Sequence, residues 1–398
     1  MTLHLTWPCL DQTNPTVILM PDQPESNRRD FLKGQSALNA IRNQVASGDI
    51  ELPVGTTPQN ALDRQSNYLE QYSKNAMACE FEFLFNMHQY RQSGGAAMKA
   101  FQLIDQLEDQ MTVYRDHSEI SQLNQAAYEA EVIVEQKLFG LLELAQKINE
   151  NTGQAFDVTS SALTNIWGFD RRQGELPDQE AIDEALQTVG AELLQLNCEK
   201  HSVRFKKKGV KINLGGIGKG HALDRVADLF ESMSIHDFII HGGQSSVIAS
   251  GSSANNTSNN STGDNTQSGA PGWVVGISHP TLPGVRLGEV TLKNQSLGTS
   301  GTGRQGFYHN GKRYGHIIDP RTGWPTSHFL SSTVITNSAA LSDALATAFF
   351  VMSPDDVAAY CQQFPEVSAI LVRDGSTGKS KLGIDCFNIE NLDWRRLT

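Results

Sequence analysis

Residues 338–352 of the chain read Ser-Ala-Ala-Leu-Ser-Asp-Ala-Leu-Ala-Thr-Ala-Phe-Phe-Val-Met. The stretch predicts a helix, because alanine and leucine favour helical backbone and Ser338 is a good N-cap. Asp343 and Thr347 stand four residues apart, on one face of that helix and near its positively polarised start. A carboxylate and a hydroxyl so placed could hold a hard cation such as Mg²⁺. The alternative is a helix with one buried aspartate that local hydrogen bonds satisfy.

The composition is that of a folded globular protein and excludes several kinds of partner. The chain has 398 residues, of which 39% are hydrophobic and 19% are charged. A formal net charge of -12 without a long basic run argues against nucleic acid and anionic membranes as main partners. No apolar run reaches the roughly 18 residues of a membrane-spanning helix, so we expect no transmembrane segment. The five cysteines have neither zinc-ligand nor redox spacing.

One N-terminal segment resembles a twin-arginine export signal. Residues 26–33 read Ser-Asn-Arg-Arg-Asp-Phe-Leu-Lys. An export signal continues with an apolar block, whereas residues 34–44 are amphipathic and polar. We therefore expect a cytoplasmic protein, with export to the periplasm as the alternative.

Helical and strand periodicities follow one another without strict alternation, which predicts an α+β fold. We expect residues 1–74 to form a partly ordered extension and residues 75–398 to form the folded domain. Residues 251–272 are almost entirely Ser, Asn, Thr and Gly, which predicts a disordered insertion within that domain. The predicted helices are 96–111, 131–149, 178–189 and 219–233; the predicted strands are 79–83, 202–205, 210–214, 238–241, 272–277, 286–292, 331–336 and 367–373.

A glycine-rich turn occupies residues 214–224, which read Leu-Gly-Gly-Ile-Gly-Lys-Gly-His-Ala-Leu-Asp. Glycines let a ligand approach the backbone closely, and amides at a helix start attract phosphate. The spacing matches neither a P-loop nor a dinucleotide fingerprint. The alternative is a tight strand-to-helix turn in which Lys219 is an ordinary surface residue.

Two further segments carry candidate site residues. In residues 314–325, His316 stands among turn residues and could act as a base or orient a phosphate; a purely structural histidine is the alternative. In residues 153–169, Phe156 and Trp167 could wall an aromatic ligand, with core packing as the alternative.

Taken together, these segments resemble the ApbE family, the FAD:protein FMN transferases, over about residues 77–372. No single motif carries the resemblance; their number and order do. The matching runs are Ala155-Phe156-Asp157-Val158-Thr159, Trp167-Gly168-Phe169, the turn at 214–220, Gly242-Gly243, Thr299-Ser300-Gly301, His316-Ile317-Ile318-Asp319-Pro320, and Asp343 with Thr347.

The resemblance implies a two-lobed α+β fold with mixed or antiparallel sheets and flanking helices, which binds FAD between its lobes. It also implies Mg²⁺-dependent transfer of the FMN moiety of FAD onto a Thr or Ser hydroxyl of a target flavoprotein, with release of AMP. By resemblance, the residues that contact FAD are Met77, Tyr114, Ala155, Phe156, Asp157, Asn213, Lys219 and Ile318. The metal ligands implied are Gly216 (through its carbonyl), Asp343 and Thr347, and His316 and Asp343 are the catalytic candidates.

The sequence departs from the family pattern at several of these motifs. The entry motif Met-Gly-Thr is Met-Ala-Cys at 77–79, Gly-Gly-Asp is Gly-Gly-Gln at 242–244, and the Asp-Tyr after Thr-Ser-Gly is Thr-Gly at 302–303. Asn213 replaces an acid, and Ala346 stands where some members supply another carboxylate ligand. Two alternatives therefore stay open, an FAD pyrophosphatase that gives FMN and AMP, and a non-catalytic flavin-binding protein.

Overall fold

An antiparallel sheet of eight strands forms the centre of the fold. The computed structural model describes residues 69–171, 173–253, 272–302, 306–375, 382–390 and 392–397, all within the unit Ser66–Thr398. The predicted extension, up to residue 68, and the predicted insertion, from 254 to 271, lie outside the described residues.

Helices and strands alternate irregularly along the chain, as the α+β prediction requires. The helices are α1 Ser93–Met111, α2 Glu119–Ala126, α3 Gln136–Asn151, α4 Ser161–Ile166, α5 Gln179–Leu186, α6 Gly218–Ser232, α7 Ala339–Val351 and α8 Pro354–Gln363, with a 3₁₀ turn at Ala191–Leu193. The strands are β1 Leu69–Ala76, β2 Cys79–Asn86, β3 Val132–Ile133, β4 Leu194–Asn197, β5 Ser202–Phe205, β6 Phe238–Gly242, β7 Ser246–Ser250, β8 Trp273–Ser278, β9 Arg286–Leu292, β10 Gln295–Gly301, β11 Gly306–His309, β12 Lys312–Gly315, β13 Ser331–Thr336, β14 Ser368–Arg373, β15 Gly383–Phe387 and β16 Asp393–Arg396.

The central sheet has the strand order β1-β2-β6-β7-β10-β13-β14-β15, and each neighbouring pair is antiparallel. Smaller antiparallel sheets have the orders β16-β9-β8 and β3-β5-β4, and β11 pairs with β12. The predicted α+β class with antiparallel sheets and flanking helices is confirmed.

The central sheet separates two hydrophobic cores, because side chains alternate between its faces along each strand. On β6, Phe238 and Ile240 belong to the core with the helices, whereas Ile239 belongs to the core that contains Trp273 and Leu287 of the small sheet β16-β9-β8. Each fully buried side chain of this size stabilises the fold by roughly 1.5–3 kcal/mol. Both faces of the sheet are therefore covered and rigid.

Helix α7 confirms the prediction for residues 338–352. Ser338 is its N-cap, and its hydroxyl oxygen accepts a hydrogen bond from the Leu341 amide at 3.3 Å. The helix crosses β10 so closely that a Cβ atom at Gly298 would overlap the Ser342 carbonyl oxygen. This contact seats the predicted metal-binding helix directly on the central sheet.

The strand predicted over 210–214 is wrong. The segment is extended, but it joins no sheet. The Ile212 amide donates to Asn124 Oδ1 at 2.7 Å, and the Asn213 amide donates to the Val158 carbonyl at 2.8 Å. A side chain and a loop thus satisfy the backbone groups that a neighbouring strand would otherwise bind.

Two boundaries differ from the sequence prediction by five residues or more. Strand β1 begins at Leu69, inside the segment assigned to the extension, because it pairs with β2 along its whole length. The helix predicted from residue 131 begins at Gln136, since Glu135 is its N-cap and accepts from the Leu138 amide at 2.9 Å. None of the helices in the described part of the chain combines the length and apolar character of a membrane span.

Candidate functional site

A cavity of about 670 Å³ brings together every residue predicted to contact FAD, to bind the metal or to take part in catalysis, except Met77. Its walls come from loops and helix starts that lie far apart in the chain. The predicted residues that line it are Tyr114, Ala155, Phe156, Asp157, Asn213, Gly216, Lys219, His316, Ile318, Asp343 and Thr347. The volume is within the range of small-molecule and cofactor pockets, roughly 300–1,000 Å³.

Asp343 is buried at one end of this cavity, with only 5% of its surface exposed. Its Oδ1 accepts a hydrogen bond from the Ser246 hydroxyl at 2.6 Å, and its Oδ2 accepts one from the Gly220 amide at 3.0 Å. The Lys219 ammonium lies 3.6 Å from Oδ2. These partners come from β7 and from the first turn of α6, so the carboxylate joins three elements.

Thr347 lies one turn further along α7 and also faces the cavity. Its hydroxyl is 3.1 Å from the Ser300 hydroxyl of β10. A Cβ atom at Gly216 would stand 3.1 Å from Phe156 Cε2 and 3.8 Å from Thr347 Oγ1. The absence of a side chain at Gly216 therefore lets the glycine-rich turn pack closely against Phe156, with Thr347 in ordinary van der Waals contact.

The donors at this end of the cavity suit a hard cation. They are the Asp343 carboxylate and the Thr347 and Ser300 hydroxyls, and Mg²⁺ prefers oxygen ligands of this kind. No group of three or more His, Cys, Asp or Glu side chains in the described part of the chain could hold a metal by itself. A magnesium ion fits such a sparse set, because it usually binds one or two carboxylates and completes its shell with water and substrate phosphates.

Asp157 is buried on another wall of the cavity, with 8% of its surface exposed. Its Oδ1 accepts from the Thr159 amide at 2.7 Å and from the Thr159 hydroxyl at 2.6 Å. Its Oδ2 accepts from Asn149 Nδ2 at 3.0 Å. Burial raises the pKa of this carboxyl, although the Thr159 hydrogen bonds oppose the shift. The carboxyl group thus closes a turn that presents Phe156 to the cavity.

Asn213 shapes the start of the glycine-rich turn. Its Oδ1 accepts a hydrogen bond from the Gly215 amide at 2.9 Å, which closes an Asx turn. Its own amide donates to the Val158 carbonyl at 2.8 Å. The glycine-rich turn and the Asp157 turn are therefore tied together directly.

The His316 loop forms a third wall. Ile318 pairs with Pro325 in an isolated β-bridge, and Arg321 and Asp319 form an ion pair at 2.8 Å. The Trp167 indole N–H donates to the Gly323 carbonyl at 2.9 Å. Trp167 is completely buried, so the core-packing interpretation holds for this residue and its role is to anchor the loop that carries His316.

Comparison with known protein families shows which family the chain belongs to. The sequence profile of the ApbE family matches residues 77–371. The chain belongs to the ApbE family. The family resemblance that the sequence motifs indicated is therefore confirmed.

Relatives of known name agree with this assignment to the ApbE family. The FAD:protein FMN transferase of Treponema pallidum is 30% identical over 300 residues, which cover 73% of this chain and 80% of that protein. The enzyme of the same name from Haemophilus influenzae is 30% identical over 262 residues, covering 64% of this chain and 71% of that protein. The ApbE protein of Thermotoga maritima superposes with a TM-score of 0.67 at 25% identity, over 79% of this chain and 96% of that one.

Met77 is the predicted ApbE residue that lies outside the cavity. It sits with Ala78 at the turn between β1 and β2, and both have positive φ, 48° and 58°. It lines a separate hollow together with Cys79 and Glu108. Ala78, which stands at the family's glycine position, therefore has a left-handed backbone, which glycine adopts more readily than alanine.

Sequence reasoning missed a residue that donates a hydrogen bond directly to Asp343. Ser246 is completely buried and donates to Asp343, although 97 residues separate the two in the chain. It begins β7, a strand that was not predicted. Its position shortly after Gly242-Gly243, a run shared with the family, was the only available signal.

Proposed function

We propose that this protein transfers the FMN moiety of FAD onto a Thr or Ser hydroxyl of a flavoprotein in a Mg²⁺-dependent reaction and releases AMP. The observation that carries the proposal is the convergence of Asp343, Thr347 and the Gly216 turn at one end of a cavity of about 670 Å³. The ApbE membership and the names of the relatives support the same activity.

FAD would occupy the length of the cavity. Phe156, Tyr114 and Ile318 supply apolar surface suited to the flavin ring. Lys219, at the start of α6, supplies positive charge suited to the diphosphate. Ala155, Asp157 and Asn213 shape the walls between these two regions. Met77 lines a separate hollow at the turn between β1 and β2, and its contact with FAD stays a prediction.

Asp343, Thr347 and the Gly216 carbonyl would hold the magnesium ion. Bound there, the ion would neutralise negative charge on the diphosphate oxygens as the phosphorus–oxygen bond breaks. Asp343 is suited to this role because Ser246 and Gly220 fix both of its oxygens from behind. Lys219, 3.6 Å from Asp343, would add a second positive charge beside the diphosphate.

The transfer itself exchanges one phosphorus–oxygen bond for another. The acceptor hydroxyl oxygen forms a bond to the FMN phosphorus, and the bond from that phosphorus to the bridging oxygen breaks. The bridging oxygen leaves with AMP, and the hydroxyl proton passes to His316, which lines the cavity. Asp343, already an acceptor of two hydrogen bonds, is better suited to the metal than to proton transfer.

The experiment is an incubation with FAD, Mg²⁺ and a panel of flavin-domain proteins that carry an exposed Thr or Ser. Flavin fluorescence that survives denaturing electrophoresis reports the covalent product, and chromatography reports AMP. The proposal predicts covalent flavin and AMP in equal amounts, both lost when EDTA is added or when the acceptor hydroxyl is removed.

Three outcomes of this incubation would contradict the transfer. AMP and FMN formed equally fast without an acceptor would identify a pyrophosphatase. Tight FAD binding without AMP at any Mg²⁺ concentration would identify a flavin-binding protein. Absence of both binding and turnover across the panel would reject the flavin assignment altogether.

A further inference from the structure

Helices α6 and α7 begin side by side, and each supplies a carboxylate to the other's first turn. The Gly220 amide, in the first turn of α6, donates to Asp343 Oδ2 at 3.0 Å. In return, the Ala339 amide of α7 donates to Asp224 Oδ1 at 2.7 Å, and the Ala340 amide donates to Asp224 Oδ2 at 2.9 Å. The two helices therefore exchange caps, and Asp224 has no role in the proposed reaction described so far.

The exchange depends on unusually close packing. A Cβ atom at Gly220 would overlap the Ala339 carbonyl oxygen, so no other residue type fits there without a backbone shift. Asp224 also accepts from the Ser338 hydroxyl at 2.8 Å, and Ser338 in turn accepts from the Leu341 amide at 3.3 Å. One carboxylate thus satisfies two amides and orients the N-cap serine of α7.

The contacts of α7 explain why this end of the helix needs a fixed anchor. Asp343 and Thr347 stand five and nine residues after Ser338, so a tilt or register change at the helix start would move both oxygens. Just beyond the amides of Ala339 and Ala340, Gly298 of β10 packs against the Ser342 carbonyl and restrains that part of the helix. Asp224 restrains the first turn, which otherwise has only Ser338 as a cap.

We propose that Asp224 is a positioning residue that sets the first turn of α7 and so holds Asp343 and Thr347 in the geometry that binds the metal. The inference rests on the proposed function, because it assumes a magnesium site at these two side chains. Asp224 acts through backbone amides and the Ser338 hydroxyl; it contacts neither the metal nor FAD. Misplacing oxygen ligands by a fraction of an ångström weakens metal binding, and loss of such outer partners commonly costs about 10- to 100-fold in affinity.

The competing explanation is an ordinary helix cap that contributes only stability. The two explanations predict different effects on the Mg²⁺ concentration needed for binding and turnover. Loss of a stabilising cap lowers the melting temperature and leaves the metal affinity of the folded protein unchanged. Loss of a positioning residue raises the Mg²⁺ concentration required for binding and for turnover, and excess Mg²⁺ then restores the rate.

The test compares the variants Asp224→Ala and Asp224→Asn with Asp178→Ala as a matched control. Asp178 is the exposed carboxylate cap of α5, accepts from the Ala181 amide at 2.8 Å, and does not line the cavity. Three quantities are measured for each protein: the melting temperature without ligands, the Mg²⁺ dependence of FAD affinity from quenching of flavin fluorescence, and the Mg²⁺ concentration at half-maximal transfer.

We expect Asp224→Ala to raise both Mg²⁺ concentrations by about 10- to 100-fold. Asp224→Asn should show a smaller increase, because its carbonyl oxygen still accepts one amide, and this variant serves if the alanine protein does not fold. Asp178→Ala should change the melting temperature only. A wild-type Mg²⁺ dependence in both Asp224 variants would overturn the inference while leaving the proposed function intact. Wild-type protein without any Mg²⁺ dependence would instead reject the proposed metal site, and this inference with it.

Discussion

Asp157 and Asp343 are both buried and both line the cavity, yet their hydrogen-bond partners differ. Asp157 binds Thr159, two residues further along, and Asn149 of the preceding helix. Asp343 binds Ser246 and Gly220, which come from remote elements, and it lies 3.6 Å from Lys219. The Asp157 region is a local turn whose hydrogen bonds are internal. The Asp343 region joins several elements and places the carboxylate beside the Lys219 ammonium.

The largest expected effect is a loss of transfer activity when Asp343 is substituted. Asp343→Asn preserves shape and one acceptor oxygen but removes the charge that would bind the metal. We expect the transfer rate at saturating FAD to fall at least about 100-fold. The measurement is the initial rate of covalent flavin formation as Mg²⁺ is varied. Wild-type turnover in a folded Asp343→Asn protein would remove Asp343 from the metal site.

The second prediction concerns how the free energy of unfolding depends on pH. His221 lies on α6, one residue after Gly220, and burial, with help from Arg225 and Lys137, lowers its pKa to about 4 from an ordinary 6.5. Its neutral ring therefore contributes stability that is complete above pH 6.5 and is lost as the pH falls toward 4. The loss amounts to about 3 kcal/mol of unfolding free energy over that window. Asp157 contributes with the opposite sign, because its pKa is raised.

Urea unfolding of the wild type and of His221→Gln between neutral pH and about pH 4 measures this contribution. The difference between the two unfolding free energies should shrink as the solution is acidified, because only the wild-type ring has to take up a proton. Parallel curves for the two proteins would contradict a buried neutral His221.

The third prediction concerns Asp157 and its local hydrogen bonds. Asp157→Ala leaves the Thr159 amide and hydroxyl and the Asn149 amide without their acceptor, so we expect the free energy of unfolding to fall by about 2 kcal/mol. Transfer by the protein that remains folded should fall much less than in Asp343→Asn. Asp157→Asn is the control, since its oxygen can still accept from Thr159. A loss of activity as large as that of Asp343→Asn, without loss of stability, would show that Asp157 and Asp343 contribute equally to the transfer reaction.

The smallest expected effect concerns Tyr114, which lines the cavity although 77% of its surface is exposed. Tyr114→Ala should raise KM for FAD about fivefold, which corresponds to roughly 1 kcal/mol, and leave kcat unchanged, because an exposed ring contributes binding surface only. Tyr114→Phe keeps the ring and should resemble the wild type. A fall in kcat with unchanged KM would show that Tyr114 acts in the chemical step.

Features set by local interactions could be predicted from the sequence, whereas those set by distant partners could not. Helix α7 and its Ser338 cap follow from neighbouring residues, and so do the strands 286–292 and 331–336, whose boundaries are as predicted. The segment 210–214 was misjudged because its backbone partner, Asn124, lies 88 residues away from Ile212. The spacing of residues along the chain cannot identify a hydrogen-bond partner so far away in the sequence.

The candidate site shows the same division. Asp343 and Thr347 could be selected from their spacing on one helix, and the family motifs added the Gly216 turn. Ser246 and Gly220 could not be paired with Asp343, because 97 and 123 residues separate them from it. The mutual caps of α6 and α7 depend on the same tertiary packing, so Asp224 had no assigned role until both helices were seen together.

The most direct test of the central claim is a crystal structure of the protein soaked with FAD and Mn²⁺, an ion that substitutes for Mg²⁺ and gives an anomalous signal. The account predicts an anomalous peak about 2.1 Å from an Asp343 carboxylate oxygen and from Thr347 Oγ1, in contact with the FAD diphosphate. FAD bound in the cavity with no peak between these two side chains would contradict it.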